Sequence, residues 1–99
     1  MTILIQFIKI QTSETLKNKT TSLANKLGKR FDWLESISIS FKEGVGNTDD
    51  NKICEIEVSA PTPRLFVSVA DYNYEAALKT AINDIERQLK KRKEITKTK

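Results

Sequence analysis

Asp49 and Asp50 sit beside Asn47 and Asn51, and four oxygen-bearing side chains this close together are the kind that can hold a divalent cation. They lack the alternating spacing of a calcium-binding loop. Their setting, Gly44-Val-Gly-Asn-Thr-Asp-Asp-Asn51, reads instead as a solvated turn. The chain has no His and one cysteine, Cys54, so imidazole acid–base chemistry, a thiolate metal cluster and an internal disulfide are all unavailable. A lone thiol with no basic partner is expected to be a small buried hydrophobe. No Gly-rich phosphate loop or nucleophile elbow occurs. We therefore expect no catalytic residue, no metal and no cofactor, and a protein that is not an enzyme.

What remains is positive charge, and it is segregated. The net charge is +4, but residues 1–30 carry six basic groups against Glu14 and residues 87–99 carry seven against Glu94, whereas residues 31–86 carry four against eleven acids. The three segments are +5, +6 and −7 respectively. A polyanion-binding surface needs clustered cations more than a high total. If the fold brings the two basic stretches together, they form one patch.

The elements that must position these cations can be read from hydrophobic period. With 99 residues the chain suffices for one modest core. The apolar opening, Met1 to Ile10, has no positive leader or cleavage site and is too short to span a bilayer. It is expected to be a buried strand of a cytoplasmic protein with no membrane contact. Thr12 and Ser13 can cap a helix over residues 13–31, in which Leu16, Thr20, Leu23, Leu27 and Phe31 recur at helical spacing. Gly28 interrupts that helix or marks its last turn. Ile37, Ile39 and Phe41 alternate with Ser36, Ser38, Ser40 and Lys42 in a half-buried strand. A second alternating run places Cys54, Ile56, Val58 and Ala60 inward and Glu55, Glu57 and Ser59 outward. After the Pro61-Thr-Pro63 connection, Leu65, Val67 and Val69 alternate with Arg64, Phe66 and Ser68. From about residue 72 the period returns to helical, with Tyr74, Leu78, Ala81, Ile82, Ile85 and Leu89 on one stripe and Asp71 or Asn73 as cap. This helix is expected to end near Lys93.

The order β-α-β-β-β-α implies one α+β domain, a four-stranded sheet with two helices packed on one face. It should span residues 1–95, with 96–99 a frayed basic tail. The open sheet face would be polar and, on balance, acidic, so nucleic acid should avoid it. On the first helix Lys29 projects away from the sheet while Lys17 and Lys26 flank the apolar stripe on opposite sides. On the second, Arg87 lies opposite Leu78, with Lys90 and Lys91 on either side. Lysines often merely solvate a helix face, but a soluble surface usually mixes signs, and residues 87–93 contain no acid. Phe31, Phe41 and Tyr74 fit the apolar stripes, and Trp33 suits core or loop packing better than base stacking. Recognition should thus run through phosphates and RNA shape.

Two stretches resemble a known family. Tyr74-Glu-Ala-Ala-Leu followed by Ile82-Asn-Asp-Ile-Glu-Arg-Gln-Leu-Lys-Lys91 is similar to the closing helix of ribosome hibernation-promoting factors, the sigma-54 modulation family. Arg87-Gln88-Leu89 with Lys91 is its most specific part. Leu16-Lys17, Lys26-Leu27 with Lys29, and Phe31-Asp32 resemble the family's first helix. The resemblance covers residues 1–95 and implies a protein that binds the small ribosomal subunit and its ribosomal RNA between head and body, where messenger RNA and transfer RNA anticodons lie. It implies RNA contacts for Lys17, Lys26, Lys29, Arg87, Lys90 and Lys91, with no DNA partner and a monomer off the ribosome. The chain differs in having Asn73-Tyr74-Glu75 where many members have Asp-Met-Tyr. It stops at Lys99 without the dimerisation domain of the long form, so ribosome pairing by this chain alone is not expected. Two other readings stay open: a general module of the double-stranded-RNA-binding kind, and a protein-interaction or regulatory domain that uses the open sheet face. Preference for intact small subunits over free duplex RNA separates the first from the family reading. Binding that survives neutralisation of the helices would mark the second.

Overall fold

The computed structural model describes residues 1–46, 50–61 and 64–97, with side chains to residue 92. Asn47 and Asp49 of the loop, Thr62 and Pro63 of the connection, and Thr98 and Lys99 of the tail lie outside the described residues. The elements are β1 (Thr2–Phe7), α1 (Glu14–Arg30), β2 (Ser36–Glu43), β3 (Lys52–Ser59), β4 (Leu65–Asp71) and α2 (Tyr74–Lys97). This is the expected α+β order.

The strands lie in the sheet order β1-β2-β3-β4. β2, β3 and β4 are joined by short connections and pair antiparallel. β1 runs parallel to β2, with Thr2 opposite Ser36 and Phe7 opposite Phe41. A parallel pair cannot be closed by a hairpin, and α1 supplies the crossover. The inward rows of the sheet follow from register: Ile5, Ile39, Ile56 and Val67 stand side by side across the four strands, as do Phe7, Phe41, Cys54 and Val69. Against these rows pack Leu16, Ala24 and Leu27 of α1 and Leu78, Ile85 and Leu89 of α2, all buried.

β1 departs from the expected buried strand. It is an edge strand in which exposed and half-buried residues alternate, and Leu4 is 48% exposed. Only the face turned toward the helices is covered, so an almost continuous apolar run is divided between core and solvent. The strand stops at Phe7, and Lys9 then turns the chain in the left-handed region at φ 56°.

The open sheet face also differs from expectation. Glu55 pairs with Lys42 at 3.3 Å and Glu57 with Arg64 at 2.9 Å. The Ser68 hydroxyl donates to Glu55 as well, at 3.3 Å. Each acid thus has a basic neighbour, and this face is charge-balanced where the strand pattern alone implied an acidic one.

Both helices are capped by polar side chains. The Ser13 hydroxyl oxygen accepts from the Leu16 N–H at 3.2 Å, and the Asn73 side-chain oxygen accepts from the Ala76 N–H at 2.7 Å. Gly28 falls in the last turn of α1, where the end of the Met1 side chain lies 2.5 Å from the place a β-carbon would occupy. α2 continues to Lys97, past the expected end near Lys93, since no Gly or Pro interrupts residues 74–97. Cys54 is fully buried, and its thiol is pushed up to about 12, first by burial and then by the neighbouring Glu55 carboxylate. Among the described residues no helix is long and apolar enough to cross a membrane.

Candidate nucleic-acid interface

The two helices lie side by side and run in the same direction, joined by two ion pairs. Lys19 holds Glu75 at 2.9 Å, and Arg30 holds Glu86. The partners are 56 residues apart in both cases, so the helices are in register. Lys19 and Arg30 are eleven residues apart on α1, as Glu75 and Glu86 are on α2. Eleven residues make about three turns, which keeps both members of each set on one stripe. The packed sheet fixes the inner faces of the helices, and these pairs link their adjoining flanks.

This arrangement settles where the sequence-predicted cations stand. Lys17, Lys26, Lys29, Arg87, Lys90 and Lys91 are all exposed. Lys26 and Lys29 edge a shallow depression on α1 with Asn18, Thr21, Ser22 and Asn25. Arg87, Lys90 and Lys91 surround another on α2 with Asp84 and Gln88. Lys17 does not join them: nine residues before Lys26, it lies about 180° around α1, on the flank turned away from α2. Lys17, Lys26, Lys29, Lys90 and Lys91 make no ion pair among the described residues. Arg87 donates to Asp84 at 2.9 Å one turn earlier, with its side chain 77% exposed. An exposed pair of this kind contributes only a few tenths of a kcal/mol, roughly, and yields readily to a phosphate.

Sequence reasoning missed the clamping residues. Glu75 and Glu86 each precede a lysine by four positions, Lys79 and Lys90, which reads as a pair within one helix. The signal that could have identified them is the recurrence, at the same eleven-residue spacing, of a cation on α1 and an acid on α2.

Trp33 and Tyr74 are structural. Trp33 is half-buried and meets Phe31 edge-on at 6.1 Å. Tyr74 packs edge-on against Phe41 at 5.8 Å, and its hydroxyl is buried with no hydrogen-bond partner among the described residues. Burial first, and the Glu43 carboxylate second, raise its pKa above the usual phenol value.

Comparison with known proteins agrees with this architecture. The chain is similar in structure to a ribosomal subunit interface protein from Coxiella burnetii, with TM-score 0.79 and 19% identity over 94% of this chain and 98% of that one. It is also similar to the N-terminal domain of Protein Y from Thermus thermophilus, with TM-score 0.73 and 18% identity over 92% and 98%. At such identities the likeness establishes the shared fold. A search of curated proteins found no match. The family model described as sigma 54 modulation protein / S30EA ribosomal protein matches residues 3–97, nearly the whole chain. With element order, sheet topology and sequence in agreement, the chain belongs to the sigma 54 modulation protein / S30EA ribosomal protein family.

Proposed function

We propose that this protein binds the small ribosomal subunit in the channel that messenger RNA and transfer RNA occupy, and silences translation without changing any covalent bond. The observation that carries this reading is the pair of clamped parallel helices, whose outer surfaces hold exposed cations with no ion pair among the described residues. A chain that leaves Lys26, Lys29, Lys90 and Lys91 unneutralised while balancing Glu55 and Glu57 on its other face has one side prepared for a polyanion. Family membership, and structural neighbours that are a ribosomal subunit interface protein and the N-terminal domain of Protein Y, support a ribosome as the source of that polyanion. The contacts are to ribosomal RNA phosphates, through Lys26, Lys29, Arg87, Lys90 and Lys91, with Lys17 at the margin. The protein acts as a cytoplasmic monomer, and the bound wedge excludes other polyanions by volume and by charge.

The test is charge reversal. Arg87→Glu combined with Lys91→Glu replaces attraction with repulsion and leaves Leu78, Ile85 and Leu89 in place. Co-sedimentation with small subunits and inhibition of cell-free translation should be lost together. Glu55→Lys with Glu57→Lys on the open sheet face should leave both intact. The reverse pattern would assign the working surface to the sheet.

A further inference from the structure

Tyr72 stands in the connection between β4 and α2, 65% exposed, the most exposed aromatic side chain among the described residues. Neither hydrophobic stripe explains it, and its hydroxyl has no hydrogen-bond partner among the described residues. It borders a groove of about 470 Å³ between the two helices, with Asn73 and Lys79 on one side and Lys19, Ser22 and Leu23 on the other. Ser22 also lines the depression edged by Lys26 and Lys29. The groove therefore opens directly onto the cationic surface of α1.

We infer that this groove takes one unpaired RNA nucleotide, with its base stacked on the Tyr72 ring and its phosphate held by the Lys79 ammonium. The inference rests on the ribosome reading and deepens it, since it names a contact that reaches a base where the lysines reach phosphates. Four observations converge on a nucleotide. An exposed ring at the edge of an open groove is a stacking platform for any base, because every base has a π-face. Glu75, the acid bordering the groove, is already held by Lys19 at 2.9 Å, so it does not repel a phosphate as a free carboxylate would. Lys79, one turn beyond Glu75, has no ion pair among the described residues and supplies the positive charge. Leu23, Ala76 and Leu78 give the groove an apolar lining that suits the base more than a hydrated ion. Stacking of this kind is indifferent to sequence, which agrees with a surface that otherwise reads shape and charge.

The test uses the full chain with two probes: a single-stranded RNA dodecamer carrying 2-aminopurine, and purified small ribosomal subunits. The wild-type protein should quench the 2-aminopurine fluorescence, Tyr72→Phe should do the same, and Tyr72→Ala should not. Tyr72→Ala should weaken dodecamer binding on the order of tenfold without changing its salt dependence, because a ring releases no counterion. Lys79→Ala should lower the salt slope by about 0.7. Circular dichroism of each variant controls for folding. Equal affinity and equal quenching by the wild type and Tyr72→Ala would overturn the nucleotide site, and with subunit co-sedimentation retained would leave the ribosome reading standing. Tyr72-dependent quenching without subunit co-sedimentation would support the site and overturn the ribosome reading. Binding to neither probe would overturn both.

Discussion

Glu86 gives its carboxylate to Arg30 of the neighbouring helix and not to Lys90, one turn further along its own. Glu75 repeats the choice, holding Lys19 in preference to Lys79. Each acid thus neutralises a cation at the seam between the helices and leaves a lysine one turn further on with no ion pair among the described residues, Lys79 in the groove between the helices and Lys90 on the outer surface of α2. The net charge of the chain is untouched by this arrangement. Its distribution is not: neutral pairs lie along the seam, and exposed lysines without an ion pair among the described residues stand beside them.

The seam should make a small, additive contribution to stability. Arg30 and Glu86 side chains are 52% and 25% exposed, so Arg30→Ala or Glu86→Ala should each cost no more than about 1 kcal/mol in urea denaturation. The exchanged pair, Arg30→Glu with Glu86→Arg, should recover most of that loss. An exchanged protein less stable than either single variant would show that the pair does not act through charge.

Ribosome binding should be strongly salt-dependent. If roughly six phosphates are neutralised, affinity falls on the order of a thousandfold between 50 and 200 mM salt. The slope should be set unequally by the lysines. Lys26→Ala and Lys90→Ala should each reduce it by about one, while Lys17→Ala, on the far flank of α1, should change it least. Equal losses for all three would place Lys17 in the interface despite its direction.

Cys54 ties stability to alkaline pH. Its folded thiol is raised to about 12 from an ordinary value of 9.0, so above 9 the unfolded chain releases a proton that the folded chain keeps. The contribution is full below pH 9 and is lost as pH rises toward 12, at up to about 1.4 kcal/mol per pH unit. Stability curves of the wild type and Cys54→Ala, each referenced to pH 8, should therefore diverge above pH 9, with the wild type falling faster. Parallel curves would show that the thiol does not titrate differently in the two states.

Tyr74→Phe should stabilise the protein. The hydroxyl is buried without a partner among the described residues, and removing it relieves a desolvation penalty of about 1 kcal/mol or more while keeping the ring against Phe41. Thermal unfolding should move up by several degrees, roughly 4–8 °C for each kcal/mol in a domain of this size. A lower midpoint would mean that the hydroxyl is hydrogen-bonded in solution.

The fold was legible because its two periods differ cleanly. Ile37, Ile39 and Phe41 alternate with serines, whereas Leu78, Ile82, Ile85 and Leu89 recur on a helical stripe, and no single chain conformation serves both. β1 was harder, since an apolar run without alternation does not reveal that one of its faces meets solvent at a sheet edge. Ala24 and Ala77, both fully buried, carry no such signal, because alanine suits a core or a surface equally. The six candidate cations could be assigned to outer faces by helical phase. Phase alone does not say which flank of α1 meets which flank of α2, so the separation of Lys17 and the pairing of Arg30 with Glu86 needed the structure. Tyr72 belongs to no periodic segment, and its place beside α1 follows only from the packing.

The parallel pairing of β1 with β2 bears on the order in which a growing chain can assemble. Thr2 meets Ser36, so every β1 residue awaits a partner synthesised 34 positions later. At ordinary elongation rates of about 5–20 residues per second, that wait lasts roughly two to seven seconds. During it Ile3, Leu4, Ile5 and Phe7 have no strand to pair with, while the residues of β2, β3 and β4 find partners only 7 to 23 positions away. The nascent N-terminal strand is therefore the segment most open to joining another chain, and α1, made in the interval, is the element available to cover it.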